Sequence, residues 1–220
     1  MPTQTLGFIH TSVGKKVLMA VTGLFMFLFV VVHLLGNLQI YAGPQAINNY
    51  AKFLHSLGNA LWGARIVMLV CIAVHIYYGL TLWLQSRSAG RGGSRYHKTV
   101  HQAATLSSKW MILTGPLMGG YIVYHLLHLT LGTAHPDFTT DVYRNLVVAF
   151  TQPAAAGIYI VLMLALGLHL WHGLWSMFQT AGLNGLSWSS RIRAAAMAIT
   201  GLVALGNVSI PIAVLVGFIK

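Results

Sequence analysis

The sequence predicts an all-α membrane protein with five transmembrane helices, the first four forming a four-helix bundle and the fifth lying at its periphery. Three observations carry this. The chain of 220 residues is 56% hydrophobic and only 7% charged, where a soluble domain carries roughly a quarter charged residues. Its mean hydropathy is +0.71. Five apolar runs, at about 17–40, 62–85, 107–131, 154–179 and 194–218, each approach the ~20 residues that a bilayer core requires. No connector is long enough for a soluble domain, so residues 1–220 read as one membrane domain.

The first run follows Lys15 and Lys16, as a signal peptide would. The apolar stretch 17–35 outlasts a signal-peptide core, and no small-residue cleavage pattern follows, so a retained helix is expected. The connector 86–98, rich in Gly, Ser and Arg, reads as a solvated loop. The connector 132–153 holds Pro136 and the only two acids, Asp137 and Asp141. A formal charge of +11 suggests nucleic acid at first sight. The basic residues sit at the ends of apolar runs instead, where they anchor helices and set topology, so no nucleic-acid partner is expected. With the N-terminus in the cytoplasm, nine basic residues fall inside: Lys15, Lys16, Lys109, Arg191, Arg193 and the four of the 86–98 connector. Four, Lys52, Arg65, Arg144 and Lys220, fall outside. That positive-inside bias predicts a multi-pass protein of the cytoplasmic membrane, in contact with lipid.

Six of eleven histidines lie within the runs: His33, His75, His125, His128, His169 and His172. Ionisable groups in hydrocarbon are costly, so each is a functional candidate. One isolated imidazole is equally at home bonded to a helix carbonyl or a neighbour's hydroxyl. Four helices each carrying one at a systematic depth require more.

The system is an internal repeat. His33-Leu-Leu in the first run recurs as His125-Leu-Leu in the third, 92 residues on; His75-x-x-x-Gly79-Leu in the second recurs as His169-x-x-x-Gly173-Leu in the fourth, 94 residues on. Parallel repeats put each histidine opposite its counterpart at equal depth. Axial rise leads to the same pairs: His33 and His125 lie roughly 24–25 Å along their helices from Lys16 and Lys109, near the outer face. His75 and His169 fall in the middle or inner half.

Two imidazoles facing at one depth suit a six-coordinate haem iron, whose axial positions they fill, leaving none for oxygen. A zinc site would want further Cys or carboxylate ligands. No C-x-x-C-H is present, and the single Cys71 lies in an apolar run, so haem would be non-covalent and no intrachain disulfide is expected. Gly79 and Gly173, one turn beyond their histidines, leave room for a flat macrocycle or serve ordinary helix packing. His128 and His172 each follow a ligand candidate by three residues, and their mutual spacing of 44 does not exclude them. The repeat favours His125 and His169, leaving His128 and His172 as propionate or supporting partners, or as merely packed polar residues. Arg65, near the outer end of the second run, is a candidate propionate partner or an interfacial anchor. Asn37, Tyr41, His55 and Arg65 supply polar groups in the 36–65 segment.

The segments His33-Leu-Leu-Gly-Asn37, His75-Ile-Tyr-Tyr-Gly79-Leu80, Tyr124-His125-Leu-Leu-His128 and His169-Leu-Trp-His-Gly173-Leu-Trp175-Ser176 resemble the cytochrome b membrane anchor of succinate:quinone oxidoreductase (succinate dehydrogenase), in its single-chain, five-helix, two-haem form. Related fumarate reductases share the plan, and the resemblance covers nearly the whole chain. It implies four axial ligands, His33, His75, His125 and His169, holding two haems b. It implies a flavoprotein subunit that oxidises succinate, an iron–sulfur subunit, and a membrane quinone, with menaquinone expected. The basic connectors 86–106 and 180–193 are the expected docking surface. This chain would be a non-dehydrogenase subunit of the enzyme, relaying electrons to quinone. Some relatives use a glutamate near the outer start of the second helix, and this chain contains no Glu. Two other readings fit the residues. One is a dihaem anchor of another quinone-linked dehydrogenase, such as fumarate reductase, hydrogenase or formate dehydrogenase. The other is a haem-free proton-coupled transporter with histidines on its path.

Overall fold

The computed structural model describes residues 7–89, 106–183, 185 and 188–220, and among them there are helices and no strand. Most of the basic connector 86–106 lies outside the described residues, as does part of 180–193.

A 3-10 turn, Phe8–His10, leads into α1, Ser12–Asn37. Thr11 caps α1, its hydroxyl accepting from the Gly14 N–H at 3.0 Å. The turn folds so tightly onto α1 that a Cβ on Gly14 would lie 1.9 Å from the Phe8 carbonyl oxygen, so this position takes only glycine. A second 3-10 turn, Leu38–Ala42, follows, then α2, Pro44–Ser56, and α3, Asn59–Ala89. After the connector come α4, Leu106–His125, continued by a π-helical turn, Leu126–Thr130; α5, Val142–Phe150; α6, Pro153–Thr180; and α7, Ser189–Leu215. Five of these helices, α1, α3, α4, α6 and α7, with the turns that prolong α1 and α4, are long and apolar enough to cross a membrane. Their exposed faces carry large apolar side chains such as Phe25, Leu28, Val70 and Val161, as a multi-pass protein surrounded by lipid requires.

The sequence reading treats 41–61 and 132–153 as connectors, and both contain a helix. α2 and α5 are too short and too mixed to span a bilayer, but each has one apolar face. Pro44 opens α2 at a position where a missing N–H costs nothing. Asp141 caps α5 through the Arg144 N–H at 2.9 Å. The two helices meet where α1 and α4 end and α3 and α6 begin, and close that end, here called the cap end. Ile40, Ile47, Leu146, Phe150, Tyr159 and Ile210 form a buried cluster beneath them. Asn48 on α2 donates to Asp141 at 2.9 Å and accepts from the Tyr143 N–H at 3.2 Å.

Helix packing differs along the bundle. α1 lies on α3, α4 on α6, and α1 touches α6 across the middle. The fifth spanning helix, expected at the periphery, is packed more tightly than any other: 44% of its apolar window is buried, against 6–17% for the first four. α7 lies along α6, and small residues explain the closeness. A Cβ on Gly167 would lie 2.9 Å from the Ala204 Cβ, and one on Gly206 would lie 3.0 Å from a methyl of Leu34. Ala196, Thr200 and Ala204 on α7 are buried in consequence.

Candidate functional site

Among the described residues of the first four spans, three pairs of helices do not pack closely: α3 with α4, and two pairs that carry histidines, α1 with α4 and α3 with α6. Histidines face one another across the last two of these gaps. The His33 ring on α1 and the His125 ring on α4 have centres 5.8 Å apart. The His75 ring on α3 and the His169 ring on α6 have centres 6.3 Å apart.

Each ring of the second pair is held by a threonine on the adjacent helix. Thr22 Oγ1 on α1 lies 3.3 Å from His75 Nδ1, and Thr114 Oγ1 on α4 lies 3.3 Å from His169 Nδ1. Both threonines are buried. Each hydroxyl donates its single proton to a carbonyl of its own helix, Leu18 at 2.7 Å and Trp110 at 3.1 Å. The oxygen is then left to accept, so Nδ1 of each histidine carries the proton and donates. Nε2 of each is therefore a bare lone pair, the form in which a histidine binds a metal. Thr22 and His33 are eleven residues apart, and so are Thr114 and His125. Each threonine, with the histidine it touches, therefore lies about 16 Å down the axis from the cap-end pair.

The cap-end pair is held differently. Tyr159 on α6, buried beneath α5, sets its hydroxyl 3.5 Å from His125 Nδ1 and 3.2 Å from His128 Nδ1. One hydroxyl serves both if it accepts from His125 and donates to His128, which again leaves His125 Nε2 bare. His33 stacks on Phe29, with ring centres 5.4 Å apart.

His128 falls in the π-helical turn and, like His125, meets Tyr159. It is 2% exposed, stacks on Tyr124 at 5.1 Å, and lies 5.2 Å from the His135 ring. His135 is in turn fixed at both nitrogens. Nδ1 accepts from the Asp137 N–H at 3.0 Å, and Nε2 donates to the Asn145 carbonyl at 2.9 Å. His128 thus belongs to a polar layer under the cap. His172 is different: its Nδ1 is buried and has no hydrogen-bond partner among the described residues. The Arg65 guanidinium lies 4.9 Å over the Trp62 ring. Arg87 over Trp83, Arg191 over Trp188 and Arg193 over Trp175 repeat that arrangement, which suits anchors at a membrane interface. Among the described residues no hydrogen bond or ring contact joins Arg65 to either histidine pair. Nor are Asn37, Tyr41, His55 and Arg65 gathered into one site. Tyr41 donates to Ser209 on α7 at 2.8 Å, and His55 is exposed, bonded to the Ala51 carbonyl.

Metal–imidazole nitrogen bonds run about 2.0–2.1 Å, so two imidazoles opposed on one metal have ring centres roughly 6–6.5 Å apart. The 6.3 Å spacing of His75 and His169 falls in that range, and the 5.8 Å spacing of His33 and His125 is slightly shorter. Among the described residues no three of His, Cys, Asp and Glu converge on a metal position. A Cβ on Gly173 would meet nothing within 4 Å, and one on Gly79 only the end of Met19 at 4.0 Å, as at other glycines of the spans such as Gly119 and Gly157. Sequence reasoning missed Thr22, Thr114 and Tyr159. The threonines were findable, because Thr22-Gly23 and Thr114-Gly115 share the 92-residue offset of His33 and His125. Tyr159 had no such signal, since the repeat matches it to Arg65. Comparison of the chain with family models, with curated proteins and with solved structures finds no match.

Proposed function

We propose that this chain is the dihaem cytochrome b membrane anchor of a succinate:quinone oxidoreductase. His33 and His125 would hold one haem b, and His75 and His169 the other. What supports the reading is one observation: two histidine pairs, at two depths, meet across two of the three helix pairs of the first four spans that do not pack. An imidazole in hydrocarbon is costly, and a gap between membrane helices forfeits the packing that holds them together. Both costs are offset if a ligand fills the gap and takes the imidazole lone pairs. When bound, two bis-histidine haems supply one-electron carriage between a donor on one membrane face and quinone.

The protein's own part is positioning. Thr22 and Thr114 fix the tautomers of one pair, and Tyr159 that of His125. His172, with its free Nδ1, is a candidate partner for a haem propionate. Its basic residues at helix ends set the N-terminus in the cytoplasm and present positive charge to the iron–sulfur and flavoprotein subunits.

The test is the absorption spectrum of the purified protein, with haem counted per chain after pyridine treatment. Two haems per chain, extractable by acid-acetone and reduced by succinate in the assembled complex, are expected. Absence of reducible Soret and alpha bands would sink the haem reading and leave the proton-coupled transporter. Copurification with hydrogenase or formate dehydrogenase subunits would move the anchor to another enzyme.

A further inference from the structure

The two threonines carry more than a local hydrogen bond. Thr22 and Thr114 occupy equivalent positions in the two halves of the chain, each on the first helix of its half. Each reaches across to the histidine on the second helix of that half, at the same 3.3 Å. A threonine in a membrane helix commonly bonds its own i−4 carbonyl, and its oxygen can also reach a neighbouring helix. Here that bond is kept in both halves and the oxygen's remaining capacity meets an imidazole. Symmetry makes coincidence a poor account, because helix packing alone does not require the same contact twice.

We infer that Thr22 and Thr114 are positioning residues that set the reduction potential of the haem between His75 and His169. This rests on the haem reading above. A metal-bound imidazole whose Nδ1–H donates to an oxygen gains anionic character and becomes a stronger electron donor to the metal. A stronger donor favours the oxidised, more positively charged iron. Both ligands of this site have such an acceptor, so the two effects add on one haem and hold its potential down. The cap-end site has a weaker version on one side only, the 3.5 Å contact of Tyr159 with His125. The chain thereby builds a difference between two sites that have the same ligands. Gly23, beside Thr22, keeps the arrangement possible: a Cβ there would press on the His75 ring at 3.3 Å.

The experiment is a redox titration of both haems in the assembled complex, with electron paramagnetic resonance of the ferric forms, on Thr22→Val, Thr114→Val, the double variant and the two serine variants. Valine keeps the shape and removes the oxygen; serine keeps the oxygen. The expected result is an upward shift of one haem's potential in each valine variant and a larger shift in the double variant. The ferric signal of that haem should change too. The other haem should hold its potential, and serine should return both values toward the wild type. Outer partners of metal-ligating histidines are worth about 10–100-fold in metal affinity, so an emptied site in the valine variants is the second outcome consistent with the role. Loss of that haem in valine variants with retention in serine variants supports the same role. An unchanged potential in the double variant with both haems present overturns the inference. So does an equal shift in both haems, or loss of haem in the serine variants as well. A wild-type protein with no haem overturns the functional reading itself, a result the haem count separates from the others.

Discussion

The α6–α7 seam and the gaps between α1 and α4 and between α3 and α6 are built from similar apolar helices, yet they follow opposite rules. In the seam, Gly167 and Ala204 bring the backbones so close that a Cβ on the glycine would sit 2.9 Å from its neighbour. Dispersion contacts between small residues hold such helices together, since lipid offers no hydrophobic drive. Across the gaps, the side chains that meet are imidazoles with ring centres 5.8 and 6.3 Å apart. The contrast teaches that the α6–α7 seam is held by close packing of small residues, and that the histidine pairs meet where such packing is absent.

The sharpest way to break the comparison is to remove a histidine. His33→Ala and His125→Ala should each abolish the same haem and spare the other, and His75→Ala and His169→Ala should do the converse, because the two pairs share no ligand. His128→Ala and His172→Ala should leave both irons six-coordinate. Haem counts and reduced-minus-oxidised spectra of each variant check this. If His128→Ala removes a haem that His125→Ala retains, the ligand assignment fails.

A glycine exchange tests the two regions directly. Gly167→Leu forces a branched side chain into the seam, and overpacking of this kind costs about 3 kcal/mol at the upper end of its usual range. Gly173→Ala, whose Cβ would meet nothing within 4 Å, should leave the protein part of the structure undisturbed. Thermal unfolding in detergent should fall markedly for the first and little for the second. If Gly173→Ala lowers haem content without lowering protein stability, the space beside it is used by the cofactor.

The five spans and the two histidine pairings were legible because membrane length and a repeated His-Leu-Leu and His-x-x-x-Gly-Leu pattern leave few alternatives. What was not legible depends on geometry that sequence spacing hides. His128 is three residues from His125, so an α-helical wheel sets both on nearly one face. In the structure His128 lies in the π-helical turn Leu126–Thr130 and packs into the cap layer against Tyr124 and His135, while still sharing Tyr159 with His125. α2 and α5 fall below the length of a span and carry mixed faces, so they read as connectors. The close packing of α7 rests on single small residues such as Gly167 and Ala204, which composition cannot distinguish from any other glycine or alanine of a membrane helix.

Tyr159 is the next test, because it joins the cap to the cap-end histidines. Tyr159→Phe keeps the ring among Phe150, Tyr121 and Tyr124 and removes the hydroxyl that meets two imidazoles. A buried His128 nitrogen then loses its partner, at a cost of about 1–2 kcal/mol. The cap-end haem should change its spectrum or potential, and the other haem should not. Equal changes in both would show that Tyr159 acts on the bundle as a whole rather than on one site.

The smallest expected effect lies farthest from the histidines, in the tie between α2 and α5. The Arg144 N–H, the Asn48 amide and the Tyr143 N–H hold the Asp141 carboxyl below its ordinary value of 3.8, and the Arg144 guanidinium does the same for Asp137. A carboxylate whose folded value is depressed contributes stability that is present above the unfolded value and lost as pH falls through the folded one. The cap should therefore be fully tied from neutral pH down to the ordinary carboxylate range and loosen only below it. Asp141→Ala should lose the α5 cap at all pH values, at about 1 kcal/mol. Asp141→Asn retains a capping oxygen and should keep most of that stability while losing its share of the acid sensitivity. Hydrogen exchange at the first-turn amides of α5, followed from neutral to acid pH, measures both. If Asp141→Asn exchanges as fast as Asp141→Ala at neutral pH, the carboxylate's charge, and not the capping geometry, is what ties α2 to α5.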